Sequence, residues 1–314
     1  MRVLPRIVPD GTNFPFFRYR HWAFAASVVV IVAAIVMMLV RGFNLGIDFA
    51  GGILLEVKTP GPARLAEMRT TLGGLGLGEV ALQEAGSSDL VLIRVVRQPG
   101  DESAQQAAIE KIKQALDQSF GPGLDYRRAE FVGPKVGEEL RRAGTLAVVI
   151  ALVLVLVYLW FRFEWQFGVG AILACVHDVF AVLLVFTVSD LEFNLSSIAA
   201  ILTVVGYSLN DTVVVFDRVR ENLRRYKTLP IDQLIDKSVN ETLARTVMTT
   251  ATTLLALLAL YLFGGPVIQG FVFAMLFGIL VGTYSTTYIA APVLYYLKLR
   301  PAALAAGESA PRPG

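Results

Sequence analysis

Long uncharged apolar runs constrain this chain more than any other feature. Residues 22–40 and 143–161 are 19 residues each, residues 246–263 are 18, and residues 266–297 are 32. A helix needs roughly 20 residues to cross ~30 Å of hydrocarbon. Two further runs are interrupted, residues 167–188 by His177 and Asp178, and residues 195–216 by Asp211. Six transmembrane helices are predicted, at 22–41, 143–161, 167–188, 195–217, 245–263 and 266–297. The first run follows Arg2, Arg6, Arg18 and Arg20, as a secretory signal would. Its apolar stretch exceeds the ~7–15 residues of a signal core, and no small-x-small site ends it. It is read as an uncleaved first span.

Composition agrees. Counting Gly and omitting Tyr, about 60% of the 314 residues are apolar, against ~45–50% for soluble domains. Charged residues are 17%, below the usual ~25%. A disordered chain is excluded, and an ordinary cytosolic enzyme is disfavoured. The single Cys175 excludes an internal disulfide framework and any multi-cysteine metal site. A net charge of +2 makes no electrostatic case for nucleic acid.

Lys and Arg set the expected orientation. Four Arg precede the first span, seven Lys or Arg lie in residues 218–245, and Lys298, Arg300 and Arg312 follow the last span. The short connections 189–194 and 264–265 carry none. Both termini (1–21 and 298–314) and the 218–244 loop are therefore placed in the cytoplasm. In that loop a helical extension over 217–226 ends before Pro230. Ile231, Leu234, Ile235 and Val239 follow on one face of a short amphipathic helix, expected at the lipid surface. The basic run Arg218, Arg220, Arg224, Arg225 reads as a solvated or lipid-facing patch.

Residues 42–142 have soluble composition and form an outer domain. Residues 53–59 read as a strand and 62–75 as a helix with Pro62 near its first turn. Residues 79–85 and 90–96 alternate as strands around a turn at Gly86-Ser87-Ser88-Asp89. Residues 101–120 read as a helix ended by Gly121-Pro122, and 125–132 as a last strand. The order β-α-β-β-α-β is the ferredoxin-like split unit. It contains no nucleophile–base set, phosphate loop or metal cluster, so contact with a protein is its expected role, against that of a spacer.

Ionisable residues inside spans are costly and mark function. Asp178 lies 11 residues into its run, roughly 16 Å deep. Gly170, Ala174 and Asp178 recur every fourth residue, so the carboxylate is expected against a neighbouring helix. Asp211 lies about 10 Å from the end of its span, with Gly206 and Asn210 nearby on the helix. Arg245, Thr249, Thr252 and Thr253 make a polar stripe on an otherwise apolar helix. Asp211 and Arg245 sit at comparable depth and are placed to pair. A carboxylate alternating between a guanidinium and a dry site changes proton affinity in opposite directions. That is a minimal proton switch; a static ion pair between two helices is the other reading, and both stand. Gly270, Ala274, Gly278 and Gly282 form a small-residue ridge for close helix packing.

Three motifs now carry a resemblance. Gly46-Ile47-Asp48-Phe49-Ala50-Gly51-Gly52 follows the first span. Val132-Gly133-Pro134-Lys135-Val136-Gly137-Glu138-Glu139-Leu140 leads into the second. Gly206-Tyr207-Ser208-Leu209-Asn210-Asp211-Thr212 through Asp217-Arg218-Val219-Arg220-Glu221-Asn222 closes the fourth. With six spans and one large first outer loop, the chain resembles the SecF branch of the SecD/SecF family of bacterial export subunits, within the resistance-nodulation-division (RND) superfamily. The resemblance covers about residues 15–300. It implies a polytopic α-helical membrane protein of the inner membrane, one RND-like half, with an α+β ferredoxin-like periplasmic domain between helices 1 and 2. It implies pairing with SecD, contact with the SecYEG channel, YajC as a further candidate partner, and a preprotein on the periplasmic domain. It implies use of the proton gradient in late export, with Asp211 and Arg245 as the proton pair. Asn210, Asp178 and Thr249 are further proton-path candidates on their own polarity, and the resemblance carries no job over to Asp178 or His177. Gly46, Asp48, Gly51 and Gly52 would sit at the base of the outer domain, and Gly206, Gly270, Gly278 and Gly282 in helix packing. No enzyme activity, cofactor or metal is expected. The competing readings are a small-molecule exporter half, a scaffold stabilising the translocon and, distantly, an intramembrane protease using Asp178 and Asp211.

Overall fold

The computed structural model describes residues 12–264 and 266–299. A 3-10 turn, Phe16–Tyr19, opens into α1 (Arg20–Val40), and one turn of helix, α2 (Ile47–Ala50), follows. A sheet domain comes next: β1 (Gly52–Lys58), α3 (Leu65–Gly73), β2 (Val80–Ala85), β3 (Ser87–Val95), α4 (Glu102–Phe120) and β4 (Asp125–Val132). Long helices complete the chain: α5 (Pro134–Arg162), α6 (Trp165–Ser189), α7 (Leu195–Arg225), α8 (Ile231–Phe263) and α9 (Pro266–Ser285). A π-helical segment, Thr286–Ala290, joins α9 to α10 (Ala291–Tyr296). Six segments are long and apolar enough to cross a membrane: Phe16–Val40, Val136–Leu159, Trp165–Ser189, Leu195–Arg225, Ile231–Phe263 and Ile268–Tyr296.

The four strands are antiparallel in the order β2-β3-β1-β4. Ile53, Leu55, Val57, Val91 and Ile93 point to one face and pack on Met68, Leu72, Ile112 and Leu116 of α3 and α4. Alternate positions carry Leu54, Glu56, Leu92 and Arg94 to the other face, because successive side chains in a strand point oppositely. Leu54 and Glu56 are buried too, so β1 is covered on both sides. Asp101 caps α4, its Oδ1 accepting the N–H of Ala104 at 3.3 Å.

Four elements differ from the sequence reading. Pro62 lies outside α3, because the N–H of Ala63 donates to Ser88 O (2.6 Å) and holds this stretch along β3. The expected four-residue turn contracts to a reversal at Gly86, whose φ of +75° only glycine adopts cheaply. Ser87 to Asp89 thereby join β3.

The expected amphipathic helix and fifth span are one continuous α8. No Gly or Pro lies between Ile231 and Phe263 to break it. Leu234, Ile235 and Val239 are buried with Phe17, Val219 and Leu294, not laid on lipid. Arg218 is engaged as well, donating to Glu241 Oε2 at 2.7 Å. The expected single sixth span divides at the π-helical segment. Pro292 has no N–H to give and its ring crowds the carbonyl of Tyr288, so the helix widens and Ala291 N–H bonds Thr286 O.

Of the glycines expected at helix contacts, Gly278 faces Val204 and Gly282 faces Ser208, both on α7. Side chains there would clash, so α7 and α9 approach closely. Gly206 and Gly270 face open space.

Candidate functional site

Two buried carboxylates occupy the helix bundle, and their surroundings differ. Asp178, on α6, has no exposed surface. Its Oδ2 accepts the hydroxyls of Ser208 on α7 (2.6 Å) and Ser285 on α9 (2.8 Å). Its Oδ1 lies 3.1 Å from His177 Nδ1. His177 in turn lies beside Tyr284, whose hydroxyl donates to Ala23 O of α1 at 2.8 Å. One carboxylate thus gathers α6, α7 and α9, and the adjoining ring pair reaches α1. Ser285 ends α9 where the π-helical segment begins, and Thr286 in that segment pairs with Thr212 at 2.8 Å.

Asp211, on α7, is 9% exposed. Its Oδ1 accepts the hydroxyl of Thr246 on α8 at 2.5 Å. Its Oδ2 is buried and has no hydrogen-bond partner. An orphaned buried polar atom costs about 1–3 kcal/mol, more when charged. It persists where function needs it or where an unseen partner completes it.

Asp211 and Arg245 are not in contact. Among the described residues no ion pair within 4.0 Å joins them, and Arg245 is exposed. The polar residues of α8 fall on two faces. Thr242, Thr246 and Thr250 are buried, and Thr250 pairs with Thr283 of α9 at 3.1 Å. Arg245, Thr249 and Thr252 are exposed, with Thr249 Oγ1 bonded to its own helix at Arg245 O (3.0 Å). Across from them on α7, Gly206 and Asn210 are exposed also. Sequence reasoning found the exposed face and missed Thr246, Ser208, Ser285, Thr212 and Thr286. The spacing of Thr242, Thr246 and Thr250, every fourth residue, was the available signal.

The Gly46–Gly52 motif forms the joint between the sheet domain and the helices. Gly46 N–H donates to Phe193 O (2.9 Å) and Phe193 N–H to Asn44 O (2.8 Å), in the connection between α6 and α7. Asp48 Oδ2 accepts the N–H of Leu195 (3.0 Å), an orphan donor at the start of α7. Asn194 and Ser197 close a reciprocal capping box beside it. Gly51 and Gly52 have φ of +73° and +119°, and a side chain on Gly52 would strike Val95 O. Arg94 of β3 ties the joint from above, bonding Asn44 Oδ1 (2.9 Å) and Glu192 Oε2 (2.5 Å). The sheet domain is therefore anchored to the first turn of the helix that carries Asp211.

No group of three or more His, Cys, Asp or Glu suited to a metal ion occurs among the described residues. Cys175 is buried and free.

Comparison with known proteins gives the family. Residues 111–300 match the family described as protein export membrane protein SecD/SecF, C-terminal, and residues 36–59 match the SecD/SecF GG motif. The chain is 44% identical over 295 residues to the protein translocase subunit SecF of Rickettsia bellii (strain OSU 85-389), covering 94% of this chain and 97% of that protein. It is 42% identical over 298 residues to that of Cereibacter sphaeroides, covering 93% and 92%. Its fold is similar to the crystal structure of SecDF from Thermus thermophilus, a translocon-associated membrane protein, at a TM-score of 0.84 and 36% identity. That match covers 95% of this chain and 40% of the SecDF chain. SecDF in a super-membrane-facing form matches at a TM-score of 0.69 and 35% identity, covering 97% and 41%. With six segments long and apolar enough to span a membrane and SecF subunits among its relatives, this chain belongs to the SecD/SecF family of protein export membrane proteins.

Proposed function

We propose that this chain is the SecF half of a two-part export motor that pairs with SecD and draws on the proton gradient. In this reading it acts late in export, on preproteins leaving SecYEG, and makes no covalent change to them. The sheet domain is its ferredoxin-like periplasmic domain, and both termini lie in the cytoplasm of a bacterial inner-membrane protein. The observation that carries the proton reading is the free, buried Oδ2 of Asp211, one helix from Arg245. A proton or a guanidinium arriving there would satisfy it, and losing either restores the orphan. Exposed Asn210, Arg245 and Thr249 support a face completed by the partner half. Motion of α7 would reach the sheet domain through Asp48, which holds its first turn.

Asp211→Asn tests the reading, since it removes the titratable group with little change of shape. The variant is co-expressed with SecD, and complex recovery is checked. Preprotein export is then followed in inverted vesicles with and without an imposed proton gradient. The gradient-dependent increment should vanish while the ATP-dependent part remains. An unchanged increment would overturn the proton role and leave Asp211 as helix glue.

A further inference from the structure

A cleft of about 350 Å³ lies between the sheet face opposite α3 and α4 and the ends of α6, α7, α8 and α9. Strand register places Gln83, Leu92, Glu56 and Arg128 in one row across its roof. Glu56 is 5% exposed; among the described residues its carboxylate makes no hydrogen bond and no ion pair, and its oxygens are open to the cleft rather than sealed. Its cross-strand neighbour Arg128 is turned to Glu130, donating to Oε2 at 2.7 Å. Asp48 and Glu192 also line the cleft, but each already serves the joint. With Glu84 at the rim, four carboxylates face one guanidinium.

An unpaired carboxylate that opens into a confined cleft attracts a cation that can come and go. No group of three or more metal-ligating side chains occurs among the described residues, so an organic cation fits the cleft better than a metal ion. The apolar walls choose the kind. Leu54 and Leu92 flank Glu56 on the roof, and Phe271 lies opposite. Lys and Arg carry a charged head on an aliphatic stem, and lay that stem along apolar surface. A phospholipid ethanolamine has no such stem, and its phosphate would meet Asp48 and Glu192.

We propose that this cleft binds a Lys or Arg side chain of an extended polypeptide, with Glu56 as the counter-charge. The polypeptide is taken as an exported chain, and in that identification alone the proposal rests on the export reading. A basic residue held here would sit directly on the joint, where Asp48 holds α7 and Glu192 holds Arg94.

The test uses the full chain in nanodiscs and a fluorescent ten-residue peptide with one central lysine in a Ser/Gln/Ala background. A matched peptide carries Nε-acetyl-lysine. The native chain should bind the lysine peptide about tenfold tighter, as expected of a charge-assisted contact. Glu56→Gln should erase that preference without changing binding of the acetylated peptide. Glu56→Asp, which keeps the charge on a shorter arm, should restore part of it and guards against misfolding. Equal preference in the native chain and Glu56→Gln would overturn the proposal. So would glycerophosphoethanolamine competing as well as the lysine peptide, which would assign the cleft to lipid. Asp211→Asn should retain the preference, so a failed proton reading and a failed cleft are told apart.

Discussion

Asp178 and Asp211 are both buried carboxylates on adjacent helices, yet one is fully used and the other is half free. Asp178 takes two hydroxyls and an imidazole nitrogen, each from a side chain locked by packing. Asp211 takes one hydroxyl and leaves an oxygen bare. Burial alone therefore does not mark the working residue. A satisfied buried acid binds helices together, whereas an unsatisfied one keeps capacity for a proton or a cation.

The largest effect should come from Asp178→Ala. Three contacts at roughly 0.6–1.7 kcal/mol each predict a loss of about 2–5 kcal/mol in micelle unfolding. Asp211→Ala, which also removes the orphan oxygen, should lose less than about 1 kcal/mol. Equal losses would break the distinction.

Next come the helix glycines. Gly278→Ala and Gly282→Ala crowd α7, and overpacking of ~1–3 kcal/mol less a helix gain of ~1 kcal/mol leaves a net loss of up to about 2 kcal/mol. Gly206→Ala faces open space, so in the isolated chain it should stabilise by about 0.5–1 kcal/mol. Melting curves of the three variants compare the signs directly.

The joint should matter at about 1 kcal/mol. Arg94→Met should speed hydrogen exchange in residues 190–197 several-fold, and Glu192→Gln should add little to it, because the two share one contact. Additive effects would mean that the pair is not the fastening.

The smallest effect lies in the sheet domain, far from either acid. Burial, then the hydrogen bond to Asp117, raises the pKa of Tyr126 well above the ordinary phenol range. A raised folded pKa gives stability that is present below the unfolded value of ~10 and lost as pH climbs above it. In near-ultraviolet titration Tyr126→Phe should remove one late-titrating tyrosinate, and with it that share of the alkaline instability.

Much of the architecture was legible because it follows from local rules. Apolar run length marks spans, and period-two and period-3.6 patterns mark the sheet domain. The paired glycines after α1 were legible as a motif, though their φ values and the close approach of Val95 were not. Sequence placed Asp211 and Arg245 at one depth, but a span boundary says nothing about azimuth. One residue of offset on α8 separates buried Thr246 from exposed Arg245, a turn of about 100°. The continuity of α8 was hidden because composition changes along it while the backbone does not.

By itself the sequence determined six apolar helices, a split α/β insertion, the family motifs and the two intramembrane acids. These depend on hydropathy, backbone propensity and chain order, which are properties of neighbours along the chain. Tertiary structure alone decided which acid is saturated, which polar face of α8 is buried, that Asp48 holds the first turn of α7, and that Glu56 faces a cleft. Each of these depends on atoms distant in sequence, brought together by packing that no local pattern records.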